Sequence, residues 1–189
     1  MSNGPDTGLK IVQYGHPALR QQARRIQRPT EDTKRLVRLM IELMRGSRGL
    51  GLAANQVGLA LRVAVVEWEG EPRALVNPEI ISAKGEEVAE EGCLSVPRLY
   101  GDVTRPAEVV VRARDLSGRK IKLRAEGMPA RALCHEIDHL NGRLFVDRVD
   151  ESTLHWFIRT TKEGESITQP TSLEDALKVF TAAVRQGGE

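Results

Sequence analysis

Cys134-His135-Glu136-Ile137-Asp138-His139-Leu140-Asn141-Gly142 is the stretch about which this chain is organised. On a helix, residues four apart lie roughly 40° apart and one turn along, so His135 and His139 can reach one metal ion with Glu136 beside them. That is the H-E-x-x-H pattern, in which two histidines bind metal and the glutamate moves protons. Two histidines on a helix can also be ordinary core or surface residues, so the pattern needs support from elsewhere in the chain. The local signals are helical. Pro129 fits a first turn, where a missing N–H costs nothing, and Asn141-Gly142 supplies the left-handed residue that ends the helix. Leu133, Ile137 and Leu140 recur at i, i+4, i+7, away from the histidines, which gives one face to a core and the other to a site.

The remaining elements follow outward from this helix. Thr30 to Arg45 carries Leu36, Met40, Leu43 and Val37, Ile41, Met44 in two adjacent rows, predicting a helix opened by Pro29-Thr30 and closed by Gly46. Leu61 to Trp68 reads as a strand, and Arg73 to Ile81 as another, bent at Asn77-Pro78. Val109 to Asp115 and Lys120 to Ala125 alternate around Ser117-Gly118, predicting a hairpin. Near the end, Leu154, Phe157 and Ile158 suggest a short amphipathic helix and Thr160 to Thr171 a polar linker. Ser172 then caps a helix with Leu173, Ala176, Leu177, Phe180 and Val184 in one stripe. The fold class is α+β: small mixed or antiparallel sheets around a central metal-binding helix, plus a C-terminal helical extension. Residues 1–150 form the expected catalytic domain and residues 151–189 the extension with its polar linker.

The 189 residues make one domain's worth of sequence, and 40% hydrophobic with 29% charged residues describes a soluble globular protein. A formal charge of +2, from 28 basic and 26 acidic residues, gives no strong pull toward DNA or a membrane. No run reaches the ~20 apolar residues of a membrane span, and the first ten residues lack an apolar signal core, so cytoplasm is the expected compartment. Only Cys93 and Cys134 occur, which is no disulfide framework.

A catalytic divalent metal takes three protein ligands and leaves one position open. Cys93, in the Gly-flanked Glu91-Gly92-Cys93-Leu94-Ser95 turn after the acidic run 86–91, is the best third ligand. Cys134 is the competitor, but about 100° before His135 it points off the metal-facing side and suits packing. Most of the run's glutamates read as a solvated face. Between residues 49 and 56, Gly49-Leu50-Gly51-Leu52-Ala53-Ala54-Asn55-Gln56 has small residues that let a backbone approach something closely. It lacks the G-K-[ST] of a phosphate loop.

Residues 49–56, 91–95 and 135–139 together resemble the three motifs of the peptide deformylases, in order and at compatible spacing, with weaker similarity from Gly15-His16-Pro17 to about Val149. The resemblance implies a small α+β fold and removal of formyl from the N-terminal methionine of new polypeptides. It implies one divalent ion on Cys93, His135 and His139, usually Fe(II), with zinc, nickel or cobalt as alternative occupants. Glu136 would carry the proton, while the Gln56 side-chain amide and the Leu94 backbone N–H would face the oxyanion. Gly49, Leu50, Gly51, Ala132 and Leu133 are the expected substrate-binding residues: Gly51 exposes backbone for strand-like pairing, and Leu50, Leu133 and the neighbourhood of Ala132 offer a slot for methionine. Two departures stand out. Cys134 occupies a position where many relatives carry glutamine, and Arg98-Leu99-Tyr100 occupies a variable segment that contacts substrate in some relatives.

Two rivals share the metal logic. A zinc endopeptidase would take its third ligand downstream of the helix, where only His155 occurs. A non-catalytic metal-stabilised module that binds the ribosome or nascent chains would close its site with a fourth ligand, such as Cys134. The expected partner is an N-formylmethionyl nascent peptide, with transient proximity to the ribosome. In some relatives a C-terminal helix makes that contact. Here Glu174 and Asp175 against Lys178 and Arg185 leave the last helix without a basic face, so packing on its own body or on a second copy is expected, as a monomer or homodimer.

Overall fold

The computed structural model describes residues 8–160 and 164–186. Thr30 caps helix α1, Glu31–Gly46, through a reciprocal box: its hydroxyl accepts from the Thr33 N–H while the Thr33 hydroxyl accepts from the Thr30 N–H. Leu36, Val37, Met40 and Met44 are buried on one stripe, as their spacing predicts. The chain continues through β1 (Gly51–Ala53), β2 (Val63–Trp68) and β3 (Glu71–Lys84), then β4 (Glu87–Cys93) and β5 (Val96–Arg105). The hairpin β6 (Glu108–Arg114) and β7 (Lys120–Glu126) leads directly into helix α2, Gly127–Leu140.

Two antiparallel sheets result, one ordered β1-β2-β3-β6-β7 and one built from β4, β5 and two late strands, which confirms the α+β class. Strand β2 shows how the first sheet is filled. Val63 and Val65 pack against α1 with Met40 and Met44, whereas Val66 faces α2 with Leu133, Cys134 and Ile137. Alternation thus buries both faces of one strand. Ala53, Ala64 and Leu140 form a small cluster where the end of α2 meets β1 and β2. There Arg62, buried, donates to the Leu140 and Pro78 carbonyls, tying the helix's C-terminal end to β3. Gly142, at φ +74°, ends the helix where any side chain would strike the Arg20 backbone.

The bend expected at Asn77-Pro78 is a register shift within a single long strand. Asn77, at φ 54°, exchanges two hydrogen bonds with the Ile26 backbone, at 2.9 and 2.7 Å. The hairpin turn is held by the Asp115 carboxylate, which accepts from the N–H groups of Ser117 and Arg119.

The structure overturns two expectations near the end of the chain. Residues read as a short helix form strand β8, His155–Thr160, and part of the presumed linker forms strand β9, Ser166–Pro170. Trp156 pairs with Leu99 of β5 and with Gln169 of β9, so the second sheet is ordered β4-β5-β8-β9. The i, i+3, i+4 spacing of Leu154, Phe157 and Ile158 is too short a window to separate helix from strand, and aromatic and β-branched residues favour the strand. Ser172 caps α3, Leu173–Gln186, as expected, its hydroxyl accepting from the Asp175 N–H. Ala176 and Phe180 of α3 are buried with Leu99, Val103, Phe145 and Leu154, so the last helix packs on the chain's own body; the Val184 side chain lies outside the described residues. Among the described residues no helix is long and apolar enough to cross a membrane.

Phe180 is the largest apolar group that α3 buries, within ring contact of Tyr14 and Trp156. Phe180→Ala is expected to lower stability by about 3 kcal/mol, read as a fall in the denaturant midpoint. An unchanged midpoint would show that α3 adds nothing to the body.

Candidate metal centre

Helix α2 has two working faces. Ala130, Leu133, Cys134 and Ile137 lie on the sheet containing β2, while Arg131, His135 and Asp138, at i, i+4, i+7, meet β4 and β5. Where β4 ends, Cys93 Sγ comes within 3.2 Å of His139 Nε2, which lies 3.2 Å from His135 Nε2. Donor atoms of all three residues lie within 4.8 Å of one another. One thiol and two imidazole nitrogens converging at this spacing fit a tetrahedral divalent cation with one position left over.

The surroundings select the donor atoms. Glu91 Oε2 lies 3.0 Å from His135 Nδ1, which assigns the proton to Nδ1 and leaves the Nε2 lone pair toward the cluster. Arg105 grips Glu91 with two bonds of 2.9 Å, and Arg131 adds a third at 2.8 Å. Burial would raise the Glu91 pKa, but Arg105 and His135 hold its carboxyl down at about 2. Arg105 also pairs closely with Asp138, which takes two further bonds from Arg148 at 2.6 and 2.9 Å. Burial, with the charges of His135 and Arg105 nearby, lowers the His139 pKa well below the ordinary value, which favours the neutral imidazole that a metal requires. Asn55 Nδ2 donates to the His139 carbonyl and fixes that turn of the helix.

Glu136 is 4% exposed, and its Oε2 has no hydrogen-bond partner. Desolvation pushes its carboxyl up to about 7. Gly51 makes room for it: a Cβ there would lie 2.7 Å from both Cγ and Cδ of Glu136. The Gln56 side chain is oriented by its own oxygen. Oε1 accepts from the Ala53 N–H at 2.8 Å, which turns Nε2 toward Cys93 Sγ at 3.6 Å and Ser95 Oγ at 3.4 Å.

These groups line a cavity of about 440 Å³ that also includes Gly49, Leu50, Leu94, Met128 and Ala132. Two expected residues are absent from its walls: His139, which is 1% exposed behind the cavity lining, and one of the expected substrate-binding residues. Leu133 is fully buried against the β-sheet, because it lies on the opposite stripe of α2, and Met128 takes its place beside Leu50 and Ala132. Cys134 packs in the same apolar cluster, where burial raises its thiol to about 11 and keeps it protonated. His155 pairs with the Thr153 carbonyl and Glu90, and His16 accepts from the Ala18 N–H in a turn, so neither joins the donor cluster. The sequence reading missed Glu91, Arg105, Arg131, Asp138 and Arg148. Only the placement of Glu91 two residues before Cys93, on the same side of a strand, could have singled it out from the other glutamates.

The family model for polypeptide deformylases matches residues 8–155. The chain belongs to this family. Its members remove the formyl group from the N-terminal methionine of newly made polypeptides, and this enzyme is a metal-dependent hydrolase of that kind. It is 48% identical over 145 residues to a peptide deformylase of Dictyoglomus thermophilum, covering 77% of this chain and 95% of the relative. Among solved structures, it resembles a peptide deformylase from Synechococcus elongatus in complex with actinonin, at TM-score 0.74 and 40% identity, covering 79% of this chain and 83% of that one. The enzyme from Legionella pneumophila matches at TM-score 0.77 and 35% identity, over 96% and 98% of the two chains. The family binds one divalent metal ion, and Cys93, His135 and His139 form a group that could hold it.

Cys93→Ala is expected to abolish stoichiometric metal binding, whereas Cys134→Ala leaves metal content unchanged, as measured by elemental analysis of folded protein. Equal loss from both would remove the distinction between donor and packing thiol.

Proposed function

We propose that the deformylation is carried out by Cys93 Sγ, His135 Nε2 and His139 Nε2 holding one divalent ion, with Glu136 moving the proton. Fe(II) is the native ion in this reading, and zinc, nickel or cobalt are alternatives that the same mixed sulfur and nitrogen donors accept. When bound, the ion supplies Lewis-acid chemistry that makes water acidic enough to react near neutrality.

The chain's own groups do the rest. Glu136 takes one proton from the attacking water, whose oxygen forms a bond to the formyl carbon as the carbonyl becomes an oxyanion. Gln56 Nε2 and the Leu94 N–H donate to that oxyanion where its charge develops. Glu136 then gives its proton to the departing amine nitrogen, the C–N bond breaks, and formate and a free N-terminal methionine result. Leu50, Met128 and Ala132 enclose the methionine side chain. Strand β1 is the terminal strand of its sheet, and Gly49 and Gly51 beside the cavity leave its free edge open to main-chain pairing with the peptide. Main-chain pairing suits a substrate whose sequence varies from one protein to the next.

The observation that carries this reading is the buried Glu136 oxygen without a partner, set beside three metal-ligand atoms in a cleft that Gly51 keeps clear. In a structural metal module, leaving a carboxylate in that state would destabilise the fold with no return. We assign residues 1–150 to the catalytic unit and residues 151–189 to an extension, with the cytoplasm as the working compartment. Ribosome proximity, as monomer or homodimer, would use surfaces other than α3, where Lys178 is already paired with Glu174 and Asp175.

Glu136→Gln keeps the shape and removes the base. Metal content is expected to be retained and turnover of a formylmethionyl peptide to fall at least the roughly 10²-fold typical of a lost general base. Near-normal turnover by the metal-loaded variant would contradict the assignment.

A further inference from the structure

Pro97 and Arg98 line the catalytic cavity, and they also line a second, larger concavity of about 770 Å³. Its walls come from parts of the chain remote in sequence: Val12 near the start, Trp156 and Ile158 on β8, and Val179 and Phe180 on α3. They are mostly apolar. Val179 and Ile158 expose 56% and 39% of their surface and line the one groove together with Val12, Trp156 and Phe180, so the exposed apolar surface is contiguous. Arg98 holds a left-handed φ of 66°, a conformation that side-chain-bearing residues rarely adopt. In that conformation its guanidinium donates to the Phe157 and Ile158 carbonyls at 2.9 Å each, fixing the wall common to the two spaces.

The substrate determines what could lie there. A nascent polypeptide has only its first residue at the donor cluster, and everything after it must leave the cavity. With Pro97 and Arg98 lining both spaces, an extended chain crossing that wall reaches the apolar groove within a few residues.

We propose that this groove is a second binding region for the nascent polypeptide, taking apolar side chains from about the fourth residue onward. The proposal rests on the cavity being the deformylation site. Chains with apolar residues at those positions gain affinity by burying them, and chains with acidic residues there gain nothing. The substrate class favoured is therefore the formylated chain with an apolar N-terminal region.

The test compares three formylmethionyl substrates identical through the third residue: a tripeptide, a longer peptide continued with leucine and phenylalanine, and one continued with glutamate. The apolar long peptide is expected to exceed the tripeptide by about tenfold in kcat/KM, chiefly through a lower KM, because only part of the burial survives the cost of ordering the chain. The acidic peptide should match the tripeptide. Val179→Glu on α3 and Ile158→Glu on β8 should each bring the ratio of long apolar to short substrate close to one. Equal kcat/KM for all three peptides in the unaltered enzyme would overturn the proposal, as would a gain that survives both substitutions. A dimer in sedimentation that Val179→Glu converts to monomer would also overturn it, by giving the groove to a second copy. The tripeptide separates the two levels. If it is turned over without any length effect, the groove assignment alone fails, and if it is not turned over the deformylase reading fails first.

Discussion

Glu91 on β4, Arg105 on β5 and Asp138 on α2 form a buried ionic chain, and the geometry of the site depends on it. Two carboxylates are surrounded by the three guanidiniums of Arg105, Arg131 and Arg148, and the side chains of Glu91, Asp138, Arg105 and Arg131 are nearly closed to solvent. Removing one partner from such a pair leaves an uncompensated buried charge and costs about 3–5 kcal/mol. These bonds attach the second sheet to the helix. Without them β4, whose one buried residue is Glu91, would have little apolar surface with which to hold Cys93 against His135 and His139. The same Glu91 carboxylate that accepts from Arg105 and Arg131 orients the His135 ring, so the joint between sheet and helix also sets the direction of a metal-donor atom.

Two sheets held this way enclose a cleft whose chemistry is divided between them. The first sheet contributes the edge strand β1 and, just after it, Gln56; the second contributes Cys93 and the turn with Leu94; α2 between them contributes both histidines and Glu136. Small residues let these parts approach. Gly51 clears the Glu136 carboxylate, and a Cβ at Gly92 would lie 2.5 Å from the Tyr100 ring. The alanines at 53 and 64 bring β1 and β2 close to the end of α2. Glu136 is thus desolvated by packing from one side and left open to the cavity on the other, the condition that its proposed part as proton carrier requires.

Much of this was legible in the sequence where one physical constraint acts locally. Helix α1, the β6–β7 hairpin and the metal-donor helix each carry their period and their stop or turn within a short local stretch, and each formed where its pattern placed it. Cys93 could be found because a helix with two donors lacks a third. Strands β4 and β5 could not, since Glu87–Cys93 is rich in glutamate with only Glu91 buried, and its place comes from pairing and ion bonds to distant residues. β8 was misread for a related reason: six residues with aromatic and β-branched side chains become a strand because β5 on one side and β9 on the other offer edges. Leu133 is expected in the cavity only through the family resemblance, whereas its i, i+4, i+7 spacing with Ile137 and Leu140 sets it on the stripe that faces the sheet. Arg105 and Arg131 carry no local sign of their burial, because burial of a guanidinium is decided by carboxylates far along the chain.

If the buried Glu91–Arg105–Asp138 chain sets the metal site, Glu91→Gln weakens it without unfolding the protein. The metal dissociation constant of Glu91→Gln, measured by competition with a chelator on protein shown by circular dichroism to be folded, is expected to be about 10- to 100-fold larger than in the unaltered chain, as for lost partners of metal-bound histidines elsewhere. A folded Glu91→Gln protein that binds metal as tightly as the unaltered chain would contradict it.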